Sequence, residues 1–393
     1  MLPPELVDHI LDYLYHDTQS LAACASAGRR LLHASRYHRF NGRHLTYVRA
    51  MTLEPLLVAS PTLASSIPSL TYRPFGRSYR DNIACLPAAF TFLQLLPNLI
   101  DLRIQARALP YIGHLGSQLA YLRIDDVWAQ SRGDLLVGLS RFPTLQELEL
   151  SDPYPMLRSD EYILGTHEPP PPNVHKLSIR NTSCAELISQ WFGSQGLTPR
   201  LHSVVQTIRA RSHARLFVAQ SRTLAPLVQD LEIVFKPDGT MQGTLESADL
   251  TLKPYTALRS CILRFALPEM CVAENKSLTW IPTIIGQLSP SSCLRSLTIS
   301  LVVDNVEDLR SLNSECAARV LTVAYFDDMR VLDWAAIGHA LSADRLEGLG
   351  RVVLEGRGCH QLLEEHIRIT CPELHTRHIL SLVTVAKEAA WAD

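Results

Sequence analysis

The chain has 393 residues, 47% of them apolar, so it is long enough to bury a large core and to contain more than one unit. Its 37 Lys and Arg residues nearly balance its 39 Asp and Glu residues, which gives a formal net charge of -2. The basic residues are scattered and form no patch of the kind that binds nucleic acid. The sequence also contains no run of about eighteen apolar residues, which a membrane-spanning helix would need. We therefore expect protein partners, no nucleic acid and no membrane.

The nine cysteines stand singly along the chain, and no two of them form a Cys-x-x-Cys pair. This usage is typical of a reducing compartment, where cysteine acts as a small buried residue. The chain also lacks a basic start followed by an apolar core and a cleavage site. We expect a cytoplasmic or nuclear location, or both.

The N-terminal residues predict an amphipathic helix. Pro3 and Pro4 suit the approach to a helix and its first turn, because a missing N–H costs nothing there. Apolar residues then recur with the period of one helical face, and acidic residues lie near the N-terminal end, where the helix dipole favours them. The apolar set is Leu6, Val7, Ile10, Leu11 and Leu14.

Two more short helices follow. Asp17 or Thr18 can cap a second helix through residues 21–25, and a third runs from about Arg29 to Phe40. Three short helices make only a marginal core by themselves. Part of the apolar face is therefore expected to rest on the rest of the chain or on a partner.

Three motifs in this segment are shared with a known family: Leu2-Pro3-x-Glu5-Leu6-x-x-x-Ile10-x-x-x-Leu14, Leu21-Ala22-Ala23-Cys24 and Ser35-Arg36-Tyr37-His38-Arg39-Phe40. Together they resemble the F-box of fungal F-box proteins. In that family the Leu-Pro pair and the apolar face behind it dock onto the Skp adaptor of an SCF-type cullin-RING ubiquitin ligase. The resemblance implies an adaptor-binding role for Leu2, Pro3, Leu6, Ile10 and Leu14.

The third helix differs from the family pattern. Family members usually carry Val-Cys-Arg-x-Trp, whereas this chain has Ala27-Gly28-Arg29-Arg30-Leu31. Leu31 replaces the large aromatic residue, and Gly28 adds backbone entropy where a helix would start. Two interpretations stay open: the helices dock an adaptor, or they form a cap that seals one end of the region that follows.

An apolar pattern, L-x-x-L-x-L/I, recurs through the rest of the chain. Its last two apolar residues are two apart, which predicts a short strand with one buried face. Longer intervals predict degenerate units near Val205–Ile208 and at Ala318-Leu321-Val323, and an earlier unit is expected at Ile67-Leu70-Tyr72. The eight clear units are Leu99-Leu102-Ile104, Leu119-Leu122-Ile124, Leu145-Leu148-Leu150, Val174-Leu177-Ile179, Val228-Leu231-Ile233, Leu258-Cys261-Leu263, Leu294-Leu297-Ile299 and Leu349-Val352-Leu354.

Helical stretches are predicted between these strands. They are Ala84 to Leu95, Cys184 to Phe192, His213 to Leu224, Trp280 to Leu288 and Trp334 to Leu341. One strand and one helix per unit resembles an irregular leucine-rich-repeat solenoid, an α/β architecture with a parallel sheet on its concave face. An ordinary α/β domain with buried parallel strands is the alternative.

The outward residues of such a sheet form its candidate target-binding face. Their charges alternate in sign, which suits a protein or peptide ligand, although a solvated face is the alternative for each residue. The main candidates are Asp101, Arg103, Tyr121, Arg123, Glu147, Glu149, Lys176 and Arg180, and the same face includes Gln105, Asp125, Ser151, Ser178, Asp230, Glu232, Ser260 and Arg264.

No nucleophile, nucleotide-binding or metalloprotease motif is present in the sequence. Cys359 and His360 are neighbours, but neighbouring side chains do not point at each other. His375 and His378 are three residues apart and could share a helical face, but no neighbouring Cys or carboxylate cluster completes a metal site. We expect a non-catalytic adaptor without cofactor, metal or catalytic residues.

The sequence therefore predicts three parts. Residues 1–45 form the F-box-like helical motif, 46–370 the solenoid, and 371–393 a C-terminal cap and tail, helical in 386–393. The predicted function is substrate recognition in an SCF-type ligase, with the Skp-family adaptor, the cullin core and a protein target as partners. The alternative is a repeat-based interaction scaffold with a degenerate F-box and no ligase role.

Overall fold

The computed structural model has two compact units, each with parallel strands joined by helical segments, so the predicted α/β class is confirmed. Unit 1 is Met1–Asp152 with Met156–Val174, and unit 2 is Pro153–Pro155 with His175–Asp393. The apolar repeat pattern of the sequence did not predict this division near residue 175, because the repeats continue past that point. The structure describes residues 4–14, 17–40, 43–45, 47–72, 90–125, 132–151, 169–180, 188, 191–192, 200–208, 211–236, 250–267, 278, 280–290, 293–304, 320–342, 344–385 and 391–392.

Unit 1 begins with helices at the positions predicted for them. The predicted cap is confirmed, because the Asp17 side chain accepts hydrogen bonds from the N–H groups of Gln19 and Ser20. The α-helices are α1 (Pro4–Tyr13), α2 (Thr18–Ala27), α3 (Arg29–Phe40), α4 (Tyr47–Ala59), α5 (Pro61–Ala64) and α6 (Arg132–Ser140), and Phe92–Leu95, Ala106–Tyr111 and Gly113–Leu115 are 3-10 helices.

The sheet of unit 1 is parallel throughout, in the order β1 to β5. Exposed and buried residues alternate along β3, β4 and β5, as the predicted half-buried strands require. Its strands are β1 (Arg43–Leu45), β2 (Ser69–Tyr72), β3 (Asp101–Gln105), β4 (Tyr121–Asp125) and β5 (Glu147–Ser151). Each leucine triplet of this region therefore supplies one row of the core.

Unit 2 contains the remaining strands and helices. The strands are β6 (Lys176–Arg180), β7 (Ser203–Ile208), β8 (Asp230–Phe235), β9 (Ser260–Leu267), β10 (Ser296–Asp304), β11 (Val320–Val323), β12 (Arg351–Gly356), β13 (Leu380–Thr384) and β14 (Trp391–Ala392). The helices are α7 (Arg211–Leu224), α8 (Trp280–Ile285), α9 (Trp334–Ala340), α10 (Gln361–Thr370) and α11 (Pro372–Thr376), with a 3-10 helix at Phe326–Val331. Stacked Phe235 and Phe265, with Trp280 edge-on to both, occupy the core.

The parallel order in unit 2 is β6-β7-β8-β9-β10-β12-β13. Strand β11 instead pairs antiparallel with the end of β10, so the prediction of a further parallel unit at Ala318-Leu321-Val323 is wrong. Residues 391–392 form β14, antiparallel to β11, which corrects the predicted helical tail there; residues 386–390 and 393 lie outside the described residues. The degenerate unit near Val205–Ile208 is confirmed as β7.

The predicted helices have mixed outcomes. His213 to Leu224, Trp280 to Leu288 and Trp334 to Leu341 correspond to α7, α8 and α9, although α8 ends at Ile285. In the stretch from Ala84, residues 84–89 lie outside the described residues and Phe92–Leu95 is a 3-10 helix. Most of the stretch from Cys184 also lies outside them.

Eight of the strands start in the same way. One carbonyl just before the neighbouring, earlier strand accepts hydrogen bonds from two consecutive N–H groups at the start of the strand. These two bonds use both lone pairs of that oxygen. The accepting carbonyls are those of Pro68, Ile100 and Ala120 in unit 1 and His175, His202, Gln229, Arg259 and Arg295 in unit 2. Within each unit this recurrence gives neighbouring strands the same register.

Candidate functional site

The apolar side chains of α1 divide between two sides of the helix. Leu11 is fully buried, and Val7 and Leu14 are partly exposed on that side. Leu6 and Ile10 are 49% and 50% exposed, and Tyr13 is 80% exposed. These last three are spaced i, i+4 and i+7, so they form a second stripe. The sequence analysis missed Tyr13, although its spacing from Leu6 and Ile10 was the signal.

Contacts with α3 decide which side of α1 is covered. Helix α3 packs against both α1 and α2, and Leu11 and Leu21 are completely buried. His38 on α3 places its Nε2 3.1 Å from Oδ1 of Asp12 on α1. Of the predicted adaptor residues, Leu6 and Ile10 lie on α1, whose other side packs against α3, and Leu14 directly follows the end of α1. Leu2 and Pro3 lie outside the described residues.

Gly28, which departs from the family pattern, ends α2. Its φ of 175° is extended backbone that any residue adopts. A Cβ added there would meet no atom within 4 Å. Leu31, in the first turn of α3, is partly exposed. A side chain at position 28 would therefore meet space at the surface of the helices.

The sheet register of unit 1 brings its predicted target-binding residues together. Residues of β3, β4 and β5 that are aligned in the register form rows across the three strands. The three rows are Asp101-Tyr121-Glu147, Arg103-Arg123-Glu149 and Gln105-Asp125-Ser151. The candidates of β3, β4 and β5 therefore share one face.

Most charges on this face are paired with each other. Nε of Arg103 lies 2.6 Å from Oδ2 of Asp125. Nε of Arg123 lies 3.0 Å from Oε1 of Glu149 and 3.5 Å from Oδ1 of Asp125. The four side chains are about one-fifth exposed, so the pairs form a partly buried ladder across three strands. Within this ladder the two arginines and the two carboxylates balance in charge.

The outer row differs from this ladder. Ser69 Oγ donates a 2.7 Å hydrogen bond to Asp101 Oδ2. Burial raises the pKa of Asp101, and the nearby Glu147 carboxylate raises it further. The hydrogen bond from Ser69 lowers this pKa but does not cancel the effect of burial. Tyr121 lies between the two carboxylates and is 37% exposed. An aromatic ring and two partly exposed acids therefore lie at the strand starts.

The corresponding face of unit 2 is open mainly along its first row. That row runs Lys176-Ser203-Asp230-Ser260-Ser296-Arg351 across six strands, and each of these residues is at least partly exposed. Farther along the strands, Thr207, Ala266 and Val302 are buried. Predicted Arg180 is partly exposed, whereas Ser178 is 5% exposed.

Arg264 is a buried ion-pair centre, so its assignment to an open recognition surface is wrong. Its Nε donates to Oε1 of Glu232 at 2.9 Å, and its Nη1 donates to Oε2 of Glu355 at 2.6 Å. Ser300 lies between Arg264 and Glu355 in the register and is completely buried. The group links β8, β9 and β12 rather than presenting charge to a partner.

The described part of the chain contains cysteine thiols and side chains of the types that bind metals. No group of three His, Cys, Asp or Glu side chains there could hold a metal ion. Burial raises the pKa of the Cys261 and Cys371 thiols, which disfavours the reactive thiolate. Cys359 is an exposed free thiol. Among the helices described, none is long and apolar enough to cross a bilayer.

No protein-family model matches the chain, and no curated protein matches it. The function proposed below rests on the geometry of this chain and on its motifs.

Proposed function

We propose that the chain is the substrate-recognition subunit of an SCF-type cullin-RING ubiquitin ligase. Helices α1 to α3 act as the F-box and dock the Skp-family adaptor, which connects the chain to the cullin core. The strand units hold a protein target. The observation that carries the proposal is the uncovered stripe of Leu6, Ile10 and Tyr13 on a helix whose other side is packed against its own chain.

This stripe has a physical reason to find a partner. Fully burying a Leu or Ile side chain contributes about 1.5–3 kcal/mol. Because Leu6 and Ile10 are half exposed, covering them would contribute on the order of 1 kcal/mol each. Tyr13 adds a large ring with a polar tip, the kind of side chain that is enriched at protein interfaces.

We further propose that the strand units are irregular leucine-rich repeats forming a solenoid. The recurring apolar triplets and the shared carbonyl at eight of the strand starts support this assignment. The target would lie on the sheet face of one of the two units, which carries Asp101, Tyr121 and Glu147 in unit 1 and Lys176 and Asp230 in unit 2. Such a subunit needs no catalytic residue, because holding a target lysine near a loaded ubiquitin carrier raises its effective concentration.

Co-purification with the adaptor tests the docking step. Full-length chain and the Skp-family adaptor would be co-expressed, and the tagged chain recovered. We expect recovery of the adaptor with the wild type and loss of it with Leu6→Asp combined with Ile10→Asp. Leu362→Asp combined with Ile369→Asp is the matched control, since these residues are 53% and 71% exposed on α10. Loss of the adaptor in the control alone, or in neither variant, would remove the assignment.

The second candidate is an interaction scaffold with a degenerate F-box. Leu31 favours it, because the family places a large aromatic residue there and this side chain is smaller and partly exposed. The scaffold predicts a partner for the strand units and none for α1 to α3. In the same experiment it predicts that wild-type chain recovers no adaptor.

A further inference from the structure

The parallel sheet of unit 2 ends at strand β13, which has an open outer edge. Strand β13 pairs with β12, and among the described residues no other strand pairs with it. The carbonyl of Ile379 and the N–H of Val385 both bond to the β12 side, at 2.7 and 2.9 Å. Because the backbone groups of successive residues point to alternate sides of a strand, Ser381 and Val383 also face β12. The N–H and C=O groups that point outward belong to Leu380, Leu382 and Thr384.

The last described residues of the chain lie beyond the end of β13 and not beside it. Strands β11 and β12 lie on the same side of β10, because β9 occupies its other side, and β11 pairs with β10 beyond the point where β12 ends. Strand β14 pairs with the outer side of β11, as β13 pairs with the outer side of β12. Since β11 is antiparallel to both β10 and β14, β14 runs in the same direction as β13. Residues 391–392 therefore continue the line of β13, and they do not occupy its outer edge.

The sequence of β13 lacks the features that keep an edge strand from pairing. Edge strands are commonly protected by charged side chains, by proline or by a very short length. Strand β1, at the edge of unit 1, has three residues and includes the charged Arg43. Strand β13 has five residues, Leu-Ser-Leu-Val-Thr, without charge or proline. Such an edge is a ready template for a further strand.

The apolar side chains of β13 are incompletely covered as well. Leu380 and Leu382 are aligned with Val352 and Leu354 of β12, so they belong to the helix side of the sheet. The two β12 residues are completely buried, because β12 has a strand on each side. The two leucines of β13 are only partly buried and line a cleft, and Val383 on the other face is 37% exposed. A strand paired with β13 would complete the cover that β12 already has.

We propose that β13 pairs with β13 of a second copy of this chain, antiparallel and about a two-fold axis at Leu382. A two-fold axis sets each strand against its own sequence. Leu382 then lies opposite its counterpart, and Leu380 lies opposite Thr384 of the second copy. In this register every outward residue of β13 exchanges both of its backbone hydrogen bonds with the second copy. Any shifted register leaves outward groups of the strand without a partner.

The side chains of β13 favour its own sequence as the partner strand. Because β13 carries no charge, setting it against itself brings no like charges together. On the helix side leucine meets leucine at the axis, and on the other face Val383 lies opposite Ser381. The pairing therefore needs no complementary sequence from another protein. It also does not depend on the ligase assignment, since β13 carries neither the α1 stripe nor the residues of the proposed target face.

Sedimentation velocity of the full chain at increasing concentration tests the pairing. Strands of this length bury little area, so we expect a weak dimer with a dissociation constant on the order of 10 μM. Leu382→Lys and Leu382→Glu should each weaken it by more than about tenfold, because like charges then face each other at the axis. An equimolar mixture of the two variants should recover the dimer, since lysine then lies opposite glutamate.

Thr384→Pro provides a second variant at an exposed position. The N–H that proline lacks is one that points outward, so the bonds between β13 and β12 are kept while bonds to the second copy are lost. We expect this variant to weaken the dimer by more than about fivefold. Val383→Lys is the matched control, because it adds a charge to the same strand opposite Ser381 and not opposite itself. It should change the dissociation constant by less than about threefold.

Three results would overturn the proposal. A wild-type chain that stays monomeric up to about 300 μM would leave the edge of β13 to a strand of another protein. A dimer that is unchanged in both the Leu382 variants and Thr384→Pro would place the interface elsewhere. Loss of the dimer with Leu6→Asp and Ile10→Asp, but not with the β13 variants, would place it on α1.

Discussion

Arg264 forms ion pairs with Glu232 and Glu355 on two other strands. With Arg264→Met, the carboxylates of Glu232 and Glu355 lose their shared cation. Their side chains are 23% and 22% exposed, so water partly solvates the two charges. Breaking a buried pair costs about 3–5 kcal/mol, and this partial exposure reduces the expected loss to about 2–3 kcal/mol. Urea unfolding of the wild type and the variant measures it.

The control for Arg264 removes the carboxylates as well. Adding Glu232→Gln and Glu355→Gln to Arg264→Met is expected to recover a large part of the lost stability, because no uncompensated charge remains. A triple variant that is less stable than Arg264→Met would contradict this account.

The role of Arg264 could not be predicted from the sequence. The period of β9 correctly indicates that Arg264 and Cys261 lie on opposite faces of the sheet. Its second partner, Glu355, is 91 residues away in the chain, and a local pattern carries no information about such a contact. The same limit explains why the Arg103, Asp125 and Glu149 ladder was predicted only as separate outward residues.

Asp101 gives a pH-dependent stability difference. Because burial raises its pKa in the folded state, the stability it contributes is present below the unfolded carboxyl pKa of about 3.9 and is lost as the pH rises through the folded value. Asp101→Asn keeps an acceptor for the Ser69 hydroxyl, and because asparagine does not ionise, the variant does not lose stability as the pH rises. We expect the variant to gain stability relative to the wild type between pH 4 and pH 7. A pH-independent difference in urea unfolding would contradict the assigned cause.

His378 and His375 are expected to respond in opposite directions to the same substitution. His378→Gly relieves a left-handed backbone that costs about 1–2 kcal/mol for an ordinary residue, so the free energy of unfolding rises by up to about 1 kcal/mol. His375→Gly, inside α11, lowers it by about 1 kcal/mol. Thermal unfolding compares them, and a loss of stability in both would show that His378 is not strained.

At the scale of elements, the leucine triplets predicted the strands because the second and third apolar residues follow the strand period. Strand β11 contains two of the same apolar positions yet runs antiparallel to β10. A triplet indicates which residues are buried, but the direction of a strand depends on the connection before it. Those connecting residues, 305–319, lie outside the described residues.

Arg377 links the end of α11 to the segment between α9 and β12. Its guanidinium donates to the carbonyls of Leu341, Leu346 and Leu349 at 2.9–3.2 Å. Arg377→Met leaves those carbonyls without this donor, and we expect a loss of about 2 kcal/mol by urea unfolding. Arg368→Met, at a 57% exposed position on α10, is the control and should change stability by less than about 0.5 kcal/mol. Equal effects of the two would contradict the role of Arg377.

At the scale of the whole molecule, the sequence predicted the helical start and the strand units but not which surfaces stay open. The stripe of α1 was predicted as one face, whereas packing against α3 covers Leu11 and leaves Leu6 and Ile10 exposed. The outward residues of the strands were predicted to form a recognition surface, yet Arg264 is buried on that face. Both outcomes depend on contacts between elements, which a periodic pattern does not specify.

The central claim is that α1 leaves an apolar stripe for a second protein. Calorimetric titration of a Skp-family adaptor into the full-length chain tests it most directly, since burial of apolar surface gives a negative heat-capacity change. The account predicts a complex with this signature, weakened more than about tenfold by Leu6→Asp with Ile10→Asp and unaffected by Leu362→Asp with Ile369→Asp. Absence of binding by the wild-type chain, or equal affinity for both double variants, would contradict it.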